Sequence, residues 1–147
     1  MSYGQVMMKK VPPKKPIVQR PVENEEAKDA IKDFLSTRNS VTLDLEGLDL
    51  VHLPAIIKRA ARRVHELFLP NNCLSSTAFP PEIGLFSNLQ ELDLSFNRLQ
   101  VVPPPPMMPL KSSLVKLFLE GNDIHTLTPH IGLFTCLQVG AAIFVLI

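Results

Sequence analysis

Three stretches of eleven residues in this chain align with one another without a gap. They are VHELFLPNNCL at 64–74, LQELDLSFNRL at 89–99 and LVKLFLEGNDI at 114–124, with starts 25 and 25 residues apart. Each reads LxxLxLxxNxL with aliphatic substitutions only. A weaker copy, SVTLDLEGLDL at 40–50, precedes them at a spacing of 24 and carries Leu48 where the others carry Asn. The segments between repeat as well: PEIGLFSNLQ at 81–90 returns 48 residues later as PHIGLFTCLQ at 129–138. A period of this length makes each repeat one small structural unit, and such units bury their apolar face only by stacking on their neighbours.

The pattern explains itself physically. Leu-x-Leu spacing places both leucines on one face of a short strand, pointing into a shared core. The Asn at the ninth position follows a turn, where its amide can satisfy backbone groups that the turn leaves unpaired. Over residues 40–138 the chain resembles the leucine-rich-repeat family, with repeats starting near 40, 64, 89, 114 and 137. The resemblance implies an α/β fold, a leucine-rich-repeat solenoid. A short curved parallel β-sheet would line its concave face, with irregular, 3-10 or helical segments on the convex side. It also implies a ladder of structural asparagines, matched here by Asn72, Asn97 and Asn122. Leu48 departs from that ladder, so the first repeat is expected to be irregular at its turn.

Composition fits this arrangement. The chain has 22 Leu and 14 Pro, and 14 of the leucines occupy repeat framework positions when Leu137 is counted. Of the prolines beyond residue 23, those at 54, 80, 81, 103–106, 109 and 129 fall where the chain would return along the convex side. A locked φ and a missing N–H cost little there if no sheet ladder passes through. Met108 and Leu110 align with Ile83 and Leu85, and all four are expected in the core. That competes with reading Pro106, Pro109 and Lys111 as a PxxPxK docking ligand.

The ends differ from the middle. Residues 1–23 form a basic, proline-rich leader expected to be disordered; Lys9, Lys10, Lys14, Lys15 and Arg20 give residues 1–20 a charge of +5 with no acid, against −4 for residues 21–147. Lys10, Pro13 and Pro16 in this Lys10–Pro16 stretch fit the KxxPxxP pattern of ligands for SH3-type domains, a short pattern common by chance. Residues 24–38 read as a helix, with Ala27, Ile31, Phe34 and Leu35 in one apolar stripe and Asn24 as its N-cap. An open solenoid exposes core at its ends, so this helix is expected to cap the first repeat. Residues 139–147, VGAAIFVLI, break the repeat and contain no Asn or charge. They read either as a final strand on the last repeat or as a sign that the chain stops, after Gln138, before the native array does.

The search for chemistry returns little. No phosphate loop, nucleophile elbow or Cys-His pairing appears, and His52, His65, His125 and His130 have no metal-binding spacing with Cys or carboxylates. Neither a catalytic residue, a cofactor nor a metal is expected, and the chain is not read as an enzyme. Cys73 and Cys136 do not form a disulfide scaffold, and residues 1–20 lack the apolar run of a signal peptide. An intracellular, cytoplasmic location is therefore expected. The net charge of +1 excludes a chain held to nucleic acid or anionic membrane by its overall field.

The informative surface is the concave face. Alternation turns the residues between the inward leucines outward, giving Thr42, Glu66, Glu91 and Lys116, then Asp44, Phe68, Asp93 and Phe118, then Glu46, Pro70, Ser95 and Glu120. Six acids face one base there, with Phe68 and Phe118 expected to stand unshielded. The reading is a protein-binding module, an adaptor, scaffold or regulatory subunit in intracellular signalling, whose partner presents basic and apolar groups. Two alternatives stand beside it. One is a truncated isoform or fragment of a longer leucine-rich-repeat protein; the other is a peripheral membrane protein using the basic leader and the apolar tail.

Overall fold

The computed structural model describes residues 24–138. One α-helix, α1 (Glu25–Ser36), leads into six short strands. These are β1 (Thr42–Asp44), β2 (Glu66–Phe68), β3 (Glu91–Asp93), β4 (Val101–Val102), β5 (Lys116–Phe118) and β6 (Thr126–Leu127). The main sheet runs β1-β2-β3-β5, every pair parallel. Its register follows the sequence repeat, so that Leu43, Leu67, Leu92 and Leu117 stand in one row. All four are buried, as are Leu45, Leu69, Leu94 and Leu119 two residues on. Two rows of leucine are the floor of a core shared by every repeat.

What fixes that register is a set of carboxamides at the ninth repeat position. Asn72 Nδ2 donates to the carbonyls of Leu45 (2.9 Å) and Leu69 (3.0 Å), while its Oδ1 accepts from the amides of Leu48 (3.1 Å) and Leu50 (2.9 Å). Asn97 does the same one repeat later, donating to Leu69 and Leu94 (2.9 and 3.1 Å) and accepting from Leu74 (3.0 Å). Asn122 donates to Leu94 and Leu119 (2.8 and 3.0 Å) and accepts from Leu99 (3.0 Å). Each carboxamide thus ties its own repeat to the one before it. Asn72 and Asn97 are buried, where an unpaired backbone group is costly.

One residue earlier, every repeat turns through the left-handed region: Gly47 (φ +68°), Asn71 (+55°), Phe96 (+52°) and Gly121 (+67°). The turn aims each N–H at the next repeat, Gly47 to the Pro70 carbonyl (3.0 Å), Asn71 to Ser95 (3.1 Å) and Phe96 to Glu120 (2.6 Å). Gly and Asn enter this conformation readily; Phe does so at a cost of about 1–2 kcal/mol. The first repeat, with Leu48 in place of Asn, needs a second left-handed residue, Asp49 (φ +53°).

Two expectations about the far side of the repeats need correction. The far side is not free of ladders: β4 and β6 form a second, two-stranded parallel sheet, and Ser75 bridges Arg98 in parallel fashion. The ladder ends at Val102, and Pro103–Pro106 follow it, so no proline N–H is demanded. Nor is Leu85 in the core; it is 47% exposed. The segments Ala55–Arg59, Pro81–Leu85, Pro105–Ser112 and Pro129–Leu133 are 3-10 helices, in which residues three apart eclipse. Ile83 therefore buries together with Phe86, not with Leu85. In the longer Pro105–Ser112 turn the inward pair is Met107 and Leu110, leaving Met108 half-buried.

α1 packs against β1 and the first 3-10 turn, burying Ala27, Ile31 and Phe34, with Leu35 half-buried. Asn24 Oδ1 caps the Ala27 amide (2.9 Å), and its Nδ2 donates to the Leu48 carbonyl (2.7 Å) in the irregular first turn. At the other end Arg63 lies over the Phe34 ring, 4.1 Å from its centroid, and donates to the Phe34 carbonyl. The leader at 1–23, with its KxxPxxP stretch, and the tail at 139–147 lie outside the described residues.

Asn97→Ala should therefore destabilise the fold by about 1–3 kcal/mol in urea denaturation, since it strands the Leu74 amide and takes one of two asparagine donors from each of the Leu69 and Leu94 carbonyls. Asn122→Ala, at a half-buried position, should cost less than Asn97→Ala in the same measurement.

Candidate functional site

The outward residues of β1, β2, β3 and β5 form rows about 4.8 Å apart from strand to strand. In the first row Thr42, Glu66, Glu91 and Lys116 stand in register. Glu66 and Glu91 are neighbours of like charge, a destabilising pair on its own. The row compensates at both ends: Thr42 Oγ1 donates to Glu66 Oε2 (2.6 Å) and Lys116 Nζ to Glu91 Oε2 (2.8 Å). Bonding to Glu91 and the charges of Glu91 and Glu66 raise the Lys116 ammonium above its ordinary pKa of 10.5.

The second row alternates Asp44, Phe68, Asp93 and Phe118. Both aspartates turn back on their own chain, Asp44 accepting from the Glu46 amide (3.0 Å) and Asp93 from the Ser95 amide (2.8 Å). Phe68 and Phe118 are half-buried, not unshielded as the sequence suggested. At this strand spacing Phe68 has an aspartate-bearing strand on each side and Phe118 has one, so part of each ring is covered. The third row holds Glu46, Pro70, Ser95 and Glu120. Glu46 accepts from Asn71 Nδ2 (2.9 Å), Ser95 is buried and Glu120 is exposed.

The sequence reading missed Phe96. It is 50% exposed, the one exposed aromatic among the described residues, and it sits beside Glu120 through their backbone hydrogen bond. Its signal was legible: the equivalent positions hold Gly47, Asn71 and Gly121, so a Phe there violates a turn preference the other repeats respect.

Chemistry beyond binding finds no support in the arrangement. Among the described residues no group of three or more His, Cys, Asp or Glu is placed to hold a metal. Cys73 is half-buried, Cys136 exposed, and both are free thiols. His65 is half-buried, and its backbone carbonyl accepts from Gln90 and Glu91 (2.8 and 3.0 Å). An open cavity of about 750 Å³ lies away from the strand face, among Asn24, Asp49–Ala55, Pro81 and Glu82. No helix among the described residues is long and apolar enough to cross a membrane.

A family model described as Leucine Rich Repeat matches residues 88–110, the stretch from the third repeat's first leucine through β3, the Asn97 turn and the following 3-10 helix. The match supports a leucine-rich-repeat protein. No curated protein matches it. Leucine-rich repeats are protein-interaction repeats, and in this chain the parallel sheet offers the surface just described.

Titration of the Lys116 side-chain nitrogen by NMR should give a pKa above 10.5, and Glu91→Gln should lower it toward that value. Because the folded pKa is raised, the pair's contribution is present below pH 10.5 and lost as pH rises through the folded pKa.

Proposed function

We propose that this leucine-rich-repeat protein is a protein-binding module, an adaptor, scaffold or regulatory subunit in cytoplasmic signalling, whose partner docks on the concave strand face. In this reading the repeats stack as an open solenoid and α1 closes the first of them. One observation carries the assignment. Four strands in fixed register present Asp44, Glu46, Glu66, Glu91, Asp93 and Glu120 against Lys116 alone, with Phe68 set between Asp44 and Asp93 and Phe118 next to Asp93.

The arrangement suits a partner that is both basic and apolar. Lys116 is matched to Glu91, and the other acids are held by neutral donors or face solvent. The face therefore keeps a net negative field that steers a cationic partner and favours its orientation. The half-buried rings offer apolar area without freedom to lose, the property that makes aromatics dominate binding energy.

A pull-down from cell lysate with wild type and the Phe68→Ala/Phe118→Ala variant tests this. Partners retained by the wild type should be lost by the double variant and kept by Lys58→Ala on the opposite side. Survival of the same partners on the double variant contradicts the assignment.

A further inference from the structure

We propose that Phe96 is a partner-contacting anchor, extending the strand face onto the adjoining turn to seat an apolar residue flanked by Lys or Arg on a peptide segment of the partner. The proposal rests on the strand-face reading above and adds a residue and a peptide chemistry to it.

Three observations converge. First, Phe96 occupies a left-handed position (φ +52°) that the other repeats fill with Gly47, Asn71 and Gly121. The turn itself is required, because the Phe96 N–H must reach the Glu120 carbonyl (2.6 Å). A phenylalanine pays for that conformation where an asparagine would not.

Second, folding does not recover the cost by burying the ring, since Phe96 is left half exposed. Strain of this kind, unrepaid by packing, gathers at functional sites. Third, the ring lies directly against a glycine of the next repeat. A Cβ on Gly121 would fall 2.3 Å from Phe96 Cδ1 and 2.6 Å from Cε1, so the ring rests where only glycine leaves room.

The charge around it sets the occupant. Glu120 and Asp123 are exposed beside the turn and Asp93 lies at its start, against Arg98 alone on that turn. An apolar side chain contacting Phe96 would therefore bring flanking cations toward carboxylates, whereas an acidic segment would be repelled.

Random phage-displayed peptides selected at low salt on the full chain provide the probe. Enriched peptides should combine Lys or Arg with Leu, Ile, Phe or Trp. They should bind Phe96→Asn at least about 10-fold more weakly than wild type. Phe96→Asn should melt within about 3 °C of wild type or above it, because asparagine suits the turn. Equal affinity for Phe96→Asn, a fall of several degrees in its Tm, acidic peptides or no enrichment would each overturn the proposal. Glu66→Gln/Phe118→Ala separates it from the parent reading. Peptides lost by that variant but kept by Phe96→Asn leave the strand face standing and remove Phe96; the converse keeps Phe96 and removes the strand face.

Discussion

A buried carboxamide that bonds two repeats at once is the interaction on which the rest depends. Asn97 reaches the carbonyls of Leu69 in the second repeat and Leu94 in its own, while accepting the Leu74 amide. With leucines two residues apart, a strand could slip by two residues and still turn a leucine inward, but the carboxamide cannot slip without losing its partners. That is why the register Leu67↔Leu92 is kept. The outward rows inherit it. Glu91 meets Lys116, and Asp93 stands between Phe68 and Phe118, only because the asparagines hold the strands in phase.

Much of this was legible in the sequence, since it depends on side-chain type at a fixed period. The strand leucines, the asparagines and the apolar stripe of α1 all belong to that class. What escaped was set by backbone geometry. A 3-10 segment eclipses every third residue, so Ile83 pairs with Phe86 and Leu85 faces water, although spacing alone made Leu85 look like core. Met107 replaced Met108 for the same reason, in a turn of eight residues where the equivalent one has five. The β4-β6 ladder has no pattern of its own beyond Val101 and Val102.

The candidate surface divides along the same line. Alternation identified which strand side chains leave the core: none of Thr42, Asp44, Glu66, Phe68, Glu91, Asp93, Lys116 and Phe118 is buried, whereas Ser95, just past β3, is. It could not say how far the neighbouring strands would cover Phe68 and Phe118. Phe96 was overlooked because it lies in the turn and not on a strand, where alternation does not apply. Its exposure follows from the left-handed backbone, which only comparison of Gly47, Asn71, Phe96 and Gly121 as one column would have indicated.

Native-state amide hydrogen exchange tests the central role of the asparagines most directly. The amides of Leu50, Leu74 and Leu99 donate to asparagine side chains, whereas those of Leu69 and Leu94 donate to strand carbonyls. If the carboxamides fix the stack, both sets should be protected to a similar degree and open in the same unfolding event. Loop-like exchange at Leu50, Leu74 and Leu99 beside strongly protected strand amides would contradict the account.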